Sequence, residues 1–423
     1  MEVRKGYRQT DVGVIPEDWE VKPLSDLTKE IGDGIHATPE YVNSSDYFFI
    51  NGNNLLNGQI VITENTMCVS SKEYRRLRKS LDNSTILMSI NGTIGNLAFF
   101  NDEKVVLGKS AAYISANQKA SKKFLYYTLQ SNATKTFYEN ELTGTTIRNL
   151  SLGSIRNTPI PHPSTLAEQE AIAKALSDAD ALIEAVEQLH TKKRQVKQGA
   201  MSELLSGKRR LPGFSGEWKE TTLGEMGKIY RGVSYNPSRD LSAFDTNSTI
   251  RLLRSNNVQE ATVVFADMQY VDASKVSADQ IMRQNDVLIC MANGSKNLVG
   301  KAGRFQNEDG YEYTFGAFMG CFRPNTQAVN PDFAFCLFLT EQYRIHISIL
   351  LAGSSINNLT PTNVEAFVIR IPTDVNEQTA IAEILSDMDA EITALEEKLV
   401  KARQVKAGMM SELLTGKIRL NRD

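Results

Sequence analysis

The sequence predicts an α+β protein. Two mixed α/β domains are separated by two long helices, which pack as an antiparallel coiled coil with internal pseudo-two-fold symmetry. Three observations lead there. The stretch "VKQGAMSELLSGKRRL" at 196–211 returns as "VKAGMMSELLTGKIRL" at 405–420. The repeat reaches upstream: "EQEAIAKALSDADALIEAVE" from Glu168 aligns with "EQTAIAEILSDMDAEITALE" from Glu377, and both alignments hold the same offset of 209 positions. Between the copies the chain diverges and changes texture, into short β-type runs broken by Asn-Gly and other glycine-containing turns.

Bulk composition sets the frame. A chain of 423 residues is too long for one ordinary core and points to two to four domains. Apolar residues make up 41% and charged residues 23%, as in soluble globular proteins. No run of eighteen apolar residues occurs and "MEVRKGYRQTDVG" is polar, so neither a membrane span nor a secretory signal is expected. The four cysteines (Cys68, Cys290, Cys321, Cys336) form no CxxC pair, which fits buried thiols in a reduced, cytoplasmic protein. A net charge of −3 excludes a blanket polycation but leaves room for a local basic face on nucleic acid.

The near-constant segments read as helices. Over the aligned stretches roughly two-thirds of positions are identical, far above chance. Thr165 with Glu168 makes a T-x-x-E capping box, and Asp374 stands three residues before Glu377. Pro163 and Pro372 keep the preceding chain extended. Apolar positions then recur at three and four: Ile172, Leu176, Ala179, Ile183, Val186, Leu189 and Val196. Gly207 and Gly416 occupy the C-terminal cap. Roughly forty residues at 1.5 Å each give a rod of about 60 Å whose apolar stripe needs a partner, and the duplicate helix is the obvious one. Short links favour antiparallel packing, with one globular domain at each end of a dumbbell. Gly199 and Gly408 sit inside the helices at about 1 kcal/mol each against alanine. They mark a kink, a close crossing (with another subunit, for instance), or simply tolerated glycines.

The variable segments repeat more loosely. "LTGTTIRNLSLGSIRNTPIPHP" (142–163) matches "LAGSSINNLTPTNVEAFVIRIP" (351–372), and "IPEDWEVKPLSDL" (15–27) matches "FSGEWKETTLGEM" (214–226). Trp19 and Trp218, the two tryptophans, therefore hold equivalent seats, as core or domain–helix packing residues. Strands are expected at "YFFI", "STILMSI", "NLAFF", "DVLICM" and "FVIRI", and helix in "SKKFLYYTLQSNATKTFYE". The domains are placed at 1–163, a central helix at 164–211, a second domain at 212–372 and a C-terminal helix at 373–423.

Catalytic signatures fail together. "LGKSA" (107–111) resembles the tail of a phosphate-binding loop, but Glu103 stands where its first glycine belongs. In "YNPSRD" (235–240), Ser238 and Arg239 replace the second half of an amino-methyltransferase motif. The four histidines (His36, His162, His190, His346) lack metal-ligand spacing. No nucleotide-binding glycine turn or paired-carboxylate frame is found, so the chain is expected to do no chemistry itself.

Two divergent domains, two near-identical helices, the opening "IPEDWEV" and the "DGIHATPEY" stretch at 33–41 strongly resemble the specificity subunit of type I restriction–modification enzymes. The resemblance covers nearly the whole chain. It implies two target-recognition domains, each reading one half of a split, asymmetric double-stranded DNA sequence. It also implies that the helices fix the spacing and recruit two modification subunits, which carry S-adenosylmethionine and the adenine-methylating site. Restriction subunits, with ATP and Mg, complete the nuclease. No cofactor is expected on this chain.

Base reading calls for Arg or Lys on guanine and Asn or Gln on adenine, while phosphates take basic side chains, hydroxyls and backbone amides. In the first domain these criteria select Gly34, His36, Thr38 and Tyr41, then Asn53 and Asn54, Asn91 and Thr93, Lys109 and Ser110, and Thr145, Thr146 and Arg148. In the second they select Tyr235 and Asn236, Arg254, Ser255 and Asn256, Asn293, Ser295 and Lys296, and Ser354, Ser355 and Asn357. Asn-Gly pairs are also ordinary hairpin turns, and "YRRLRKS" (74–80) is either a phosphate contact or a solvated helix face. "GTTIRNL" and "GSSINNL" stand before the constant helix in both copies, which points to phosphate gripping or a shared folding role rather than sequence reading. A coiled-coil scaffold joining two protein-binding domains is the competing reading.

Overall fold

The computed structural model describes residues 4–143, 148–353 and 357–420. The chain forms two compact units, Met1–Glu187 with Glu397–Asp423, and Gln188–Glu396. Each unit contains one variable domain, the first half of one long helix and the second half of the other. The helices are α1 (Leu166–Leu204) and α2 (Val375–Leu413).

In unit 1 the central strand Thr85–Ser89 pairs antiparallel with Leu97–Phe99 on one side and Ala111–Ala116 on the other, and Thr28–Asp33 follows. All five residues of the central strand are buried, because both faces are covered. Successive side chains point to opposite faces. Ile86 and Met88 meet Phe124 and Leu125 of the helix Lys122–Leu129, while Leu87 packs with Ile50, Val105 and Leu107 of a second sheet. That second sheet is built on Val105–Leu107 running parallel to Phe48–Ile50. The helical patch breaks where Ser131 caps a new helix, Asn132–Glu141, accepting from the Thr134 N–H at 3.2 Å.

Unit 2 repeats the plan. Val287–Cys290 is its central strand, beside Met319–Pro324 and Ala302–Arg304. Val287 and Ile289 face Phe333 and Leu337, while Leu288 and Cys290 face Leu253 and Phe315. Tyr313–Phe315 runs parallel to Thr249–Leu253. In each unit a strand near the start of the domain also pairs with its last, Glu20–Pro23 with Pro159–His162 and Trp218–Thr222 with Val368–Pro372. The chain thus enters and leaves each domain at one place, where a long helix begins.

A matched clasp joins helix ends to each domain. In unit 2 Arg210, just beyond α1, donates two bonds (2.6 and 2.8 Å) to the buried carboxylate of Glu377 in the first turn of α2. In unit 1 Arg419, just beyond α2, does the same to Glu168 in the first turn of α1 and adds two bonds to Asp18 at 2.9 and 3.0 Å. Arg210 lies over the Trp218 ring and Arg419 over the Trp19 ring, and both tryptophans are buried. Gly207 and Gly416 end the helices at φ +70° and +68°. A Cβ there would press on Trp218 at 3.0 Å or on Pro16 at 2.6 Å, so glycine is required for conformation and for space.

Three expectations need correction. Thr165 caps α1, accepting from the Glu168 N–H at 3.3 Å, but no reciprocal box forms because Arg419 holds the Glu168 side chain. Asp374 accepts from the Asn376 N–H at 2.9 Å, and Arg210 holds Glu377. The apolar stripe of α1 also departs from its expected course. Ile172, Leu176 and Val186 are buried, but Leu189 and Val196 are exposed. Their places on the inner face go to His190, Lys193 and Lys197. In unit 2 these meet Glu396 (2.9 Å), Glu391 (2.5 Å) and Asp389 of α2. Rising numbers on α1 meet falling numbers on α2, so the paired halves are antiparallel; Asp180 with Lys406 and Glu187 with Arg403 give the same sense in unit 1. Finally, a Cβ on Gly199 or Gly408 would meet nothing within 4 Å, so neither marks a close crossing within the described chain.

Candidate nucleic-acid interface

Each unit has a concavity at the same topological place, beside the turn that leaves the parallel strand. In unit 1 this turn is Gly108–Ser110 and in unit 2 Gly316–Phe318. The equivalence is fixed by backbone bonding: the Ile90 N–H donates to the Ser110 carbonyl at 2.9 Å, and the Met291 N–H to the Phe318 carbonyl at 2.9 Å. The strand alongside bridges the turn in both units, Ile35 with Gly108 and Val233 with Gly316. Buried Gly34 allows that approach, since its Cβ would stand 2.2 Å from the Leu107 carbonyl oxygen. Its place among the DNA-contacting expectations therefore rests on shaping the loop. "LGKSA" is followed by a strand, Ala111–Ala116, and not by the helix that a phosphate-binding loop needs.

The unit 1 cavity, of about 310 Å³, gathers His36, Asn91 and Lys109 with Asp33 and Asn149. His36 shares a 2.8 Å hydrogen bond with Asp33. The Asn91 Oδ1 is buried with no hydrogen-bond partner among the described residues, an acceptor that its surroundings leave open. Thr38, Tyr41, Asn53, Thr93 and Arg148 are exposed but do not line this cavity. Ser110 is engaged inward, donating to Asn51 Oδ1 and accepting from the Gly52 N–H, both at 2.9 Å. The Asn54 amide holds its own turn, accepting from the Asn51 N–H and donating to the Val61 carbonyl. Arg76 of "YRRLRKS", itself exposed, pairs at 2.7 Å with Glu73, which is buried.

The unit 2 cavity is larger, about 1040 Å³, and brings together Tyr235, Arg254, Ser255, Asn256, Asn293 and Asn357. Asn236, Ser295 and Lys296 are exposed and stand outside it. Asn236 instead caps a short helix, accepting from the Ser238 N–H at 3.0 Å. Its own N–H donates to Asp240, whose carboxyl Arg239 brings down to about 2. Arg254 donates to the Asp267 carboxylate at 3.0 Å and to its carbonyl at 2.9 Å, which neutralises its charge, and the buried Nε has no partner among the described residues. Asn257, equivalent to Asn54, is buried and holds the turn from within. Thr145, Thr146, Ser354 and Ser355 lie outside the described residues.

Sequence reasoning missed Asp33 and Asn149 in the first cavity, although both fall in quoted stretches. It also missed Asp267, Asn358 and Phe318 in the second. For Phe318 a signal existed: aligning "LGKSA" with "FGAFM" puts an aromatic residue on an exposed turn beside a matched glycine.

All four cysteines are free, the Cys336 thiol being pushed up to about 12 by burial. Among the described residues no helix is long and apolar enough to cross a membrane, and no group of three or more His, Cys, Asp or Glu side chains is placed to hold a metal ion.

Comparison with known proteins agrees with this duplicated geometry. The model of the type I restriction modification DNA specificity domain matches twice, at residues 16–197 and 215–402. The chain is 29% identical over 188 residues to the type I restriction enzyme StySPI specificity subunit of Salmonella potsdam, covering 44% of this chain and 40% of that one. It is 24% identical over 442 residues to a putative type I restriction enzyme MjaX specificity subunit of Methanocaldococcus jannaschii, covering 98% of this chain and 97% of that one. Its fold is similar to the crystal structure of the type I restriction–modification S subunit from M. genitalium, with TM-score 0.59 and 16% identity, over 100% of this chain and 99% of that one. Two matches of one domain model, one per unit, place this chain in the family of type I restriction–modification specificity subunits.

Proposed function

We propose that this chain is the DNA-reading subunit of a type I restriction–modification complex, and that each variable domain reads one half of a bipartite, asymmetric site in double-stranded DNA. The observation that carries the reading is the pair of cavities at one topological place, framed by the same backbone bonds but lined by different side chains. Such a pair can grip two half-sites alike while accepting different bases. Half-sites one helical turn apart are about 34 Å from each other, and α1 and α2 set that separation. The same helices dock two modification (adenine methyltransferase) subunits and, through them, restriction subunits. S-adenosylmethionine belongs to the modification subunits and ATP with Mg to the restriction subunits, and the complex works in the cytoplasm. The "GTTIRN" and "GSSINN" loops grip phosphates in both halves.

Co-expression with the modification subunit, followed by mapping of adenine methylation across the host DNA, tests the reading. The expected result is one bipartite motif with a fixed gap that vanishes when this chain is deleted. Methylation indifferent to the deletion would contradict it.

A further inference from the structure

At the turn after the parallel strand the two units carry opposite chemistry. Unit 1 has Lys109, exposed beside the Asp33–His36 pair, followed by Ser110 turned inward onto Asn51 and Gly52. In unit 2 the same positions are Ala317 and Phe318, and Asn51 is replaced by Arg254. Phenylalanine cannot make the inward bonds of Ser110. Its ring stands at the cavity mouth with 72% of its surface exposed, although its backbone carbonyl is pinned by the Met291 and Ala292 N–H groups at 2.9 and 3.1 Å. The charged side chains lining this cavity, Arg254 and Asp267, neutralise each other. A mouth made of an exposed aromatic ring and uncharged amides offers little to a phosphate. It suits a base edge that combines hydrogen-bonding groups with an apolar one. In the major groove that apolar group is the 5-methyl of thymine.

We propose that Phe318 reads a thymine 5-methyl group in the half-site bound by unit 2, at the position where unit 1 carries Ser110. The proposal rests on the DNA-reading function given above and assigns one residue to one base type within it. Around Phe318, Arg254 and the Asn256 amide donate to Asp267 at 3.0 and 3.2 Å and the Asn293 amide donates to Ser255 at 3.4 Å, so these groups trade an internal bond for any contact with the polar edge of the same or the neighbouring base pair.

The test uses the full chain assembled with its modification subunits. Methylation mapping first fixes the motif; absence of any bipartite motif would overturn the underlying function, and the Phe318 assignment with it, before a variant is made. Duplexes are then prepared in which each thymine of the unit 2 half-site is replaced singly by uracil, which removes only the methyl group. One replacement is expected to weaken binding of the unaltered protein about fourfold, the factor for one buried methyl-sized group. Phe318→Ala should lose that sensitivity, Phe318→Leu should retain most of it, and the unit 1 half-site should be read unchanged by both. Because the ring is exposed, these variants leave the core intact. If the unaltered protein tolerates every uracil, or Phe318→Ala weakens all sequences equally as an unstacking wedge would, the methyl-reading assignment is overturned while the DNA-reading function stands.

Discussion

The guanidinium of Arg210 and the carboxylate of Glu377 are joined by two hydrogen bonds of 2.6 and 2.8 Å, and the carboxylate is wholly buried. The pair ties the residue just past one long helix to the first turn of the other. Removing only the cation strands a buried charge, which typically costs about 3–5 kcal/mol. Arg210→Ala should therefore lower the unfolding free energy by about 3 kcal/mol in urea titration, with only partial recovery by Arg210→Lys, which cannot reproduce the two-pronged contact. The equivalent Arg419→Ala should cost less, because Glu168 keeps some contact with water.

Glycines of the long helices should respond in opposite directions. Gly416→Ala meets a left-handed backbone and a crowded site against Pro16 and Trp19, and should destabilise by about 1–2 kcal/mol. Gly199→Ala meets open space and should stabilise by about 1 kcal/mol. Both shifts are read from thermal melts. If Gly199→Ala raises the melting temperature yet prevents assembly with the modification subunits, the glycine serves a close crossing with another subunit.

Acid should act on unit 1 through His162. Burial holds this imidazole below its ordinary value of 6.5, beside Gln169 and the Lys119 carbonyl. Between the folded and unfolded values the unfolded chain binds more protons, so stability is full above about pH 6.5 and falls as pH drops through that value towards the folded one. The equivalent residue in unit 2, Ile371, cannot titrate. The chain has one tryptophan in each unit, so Trp218→Phe leaves Trp19 to report unit 1 alone. Its fluorescence-detected stability should decline from pH 7.5 to 5.5, and His162→Gln should flatten that slope.

Adjacent asparagines in unit 2 should separate folding from reading. Asn257 accepts from the Arg254 N–H at 2.9 Å and donates to the carbonyls of Val264 and Ala266, wholly buried. Asn257→Ala should cost about 2 kcal/mol, since it strands buried polar groups, and should leave the recognised sequence unchanged. Asn256→Ala, exposed at the cavity, should barely alter stability and should relax the motif in one half. Urea titration and methylation mapping on both variants check this.

Much of the architecture was legible because duplication writes it twice. The common offset of 209, the glycine caps and the matched tryptophans each hold in both units. The seam of α1 was not, because its inner face is carried by His190, Lys193 and Lys197, whose polar ends are met by acids of α2 about two hundred residues away. Apolar spacing alone favoured Leu189 and Val196, which face water. The same distance hid the partner of Glu168, whose local signature resembles a capping box. At the cavities, residue type pointed to loops that line them but could not tell an exposed amide from one buried in its own turn, as Asn256 and Asn257 show. Phe318 escaped notice because an aromatic side chain near a strand reads as core until its exposure is known.

The most direct test of the account exchanges residues 15–160 for the corresponding segment of a relative with a different known motif, in the chain co-expressed with its modification subunits, and maps adenine methylation. The account predicts a motif with one half replaced, the other half retained and the gap between them unchanged. A motif altered in both halves, or not altered at all, would contradict the claim that each unit reads one half-site independently.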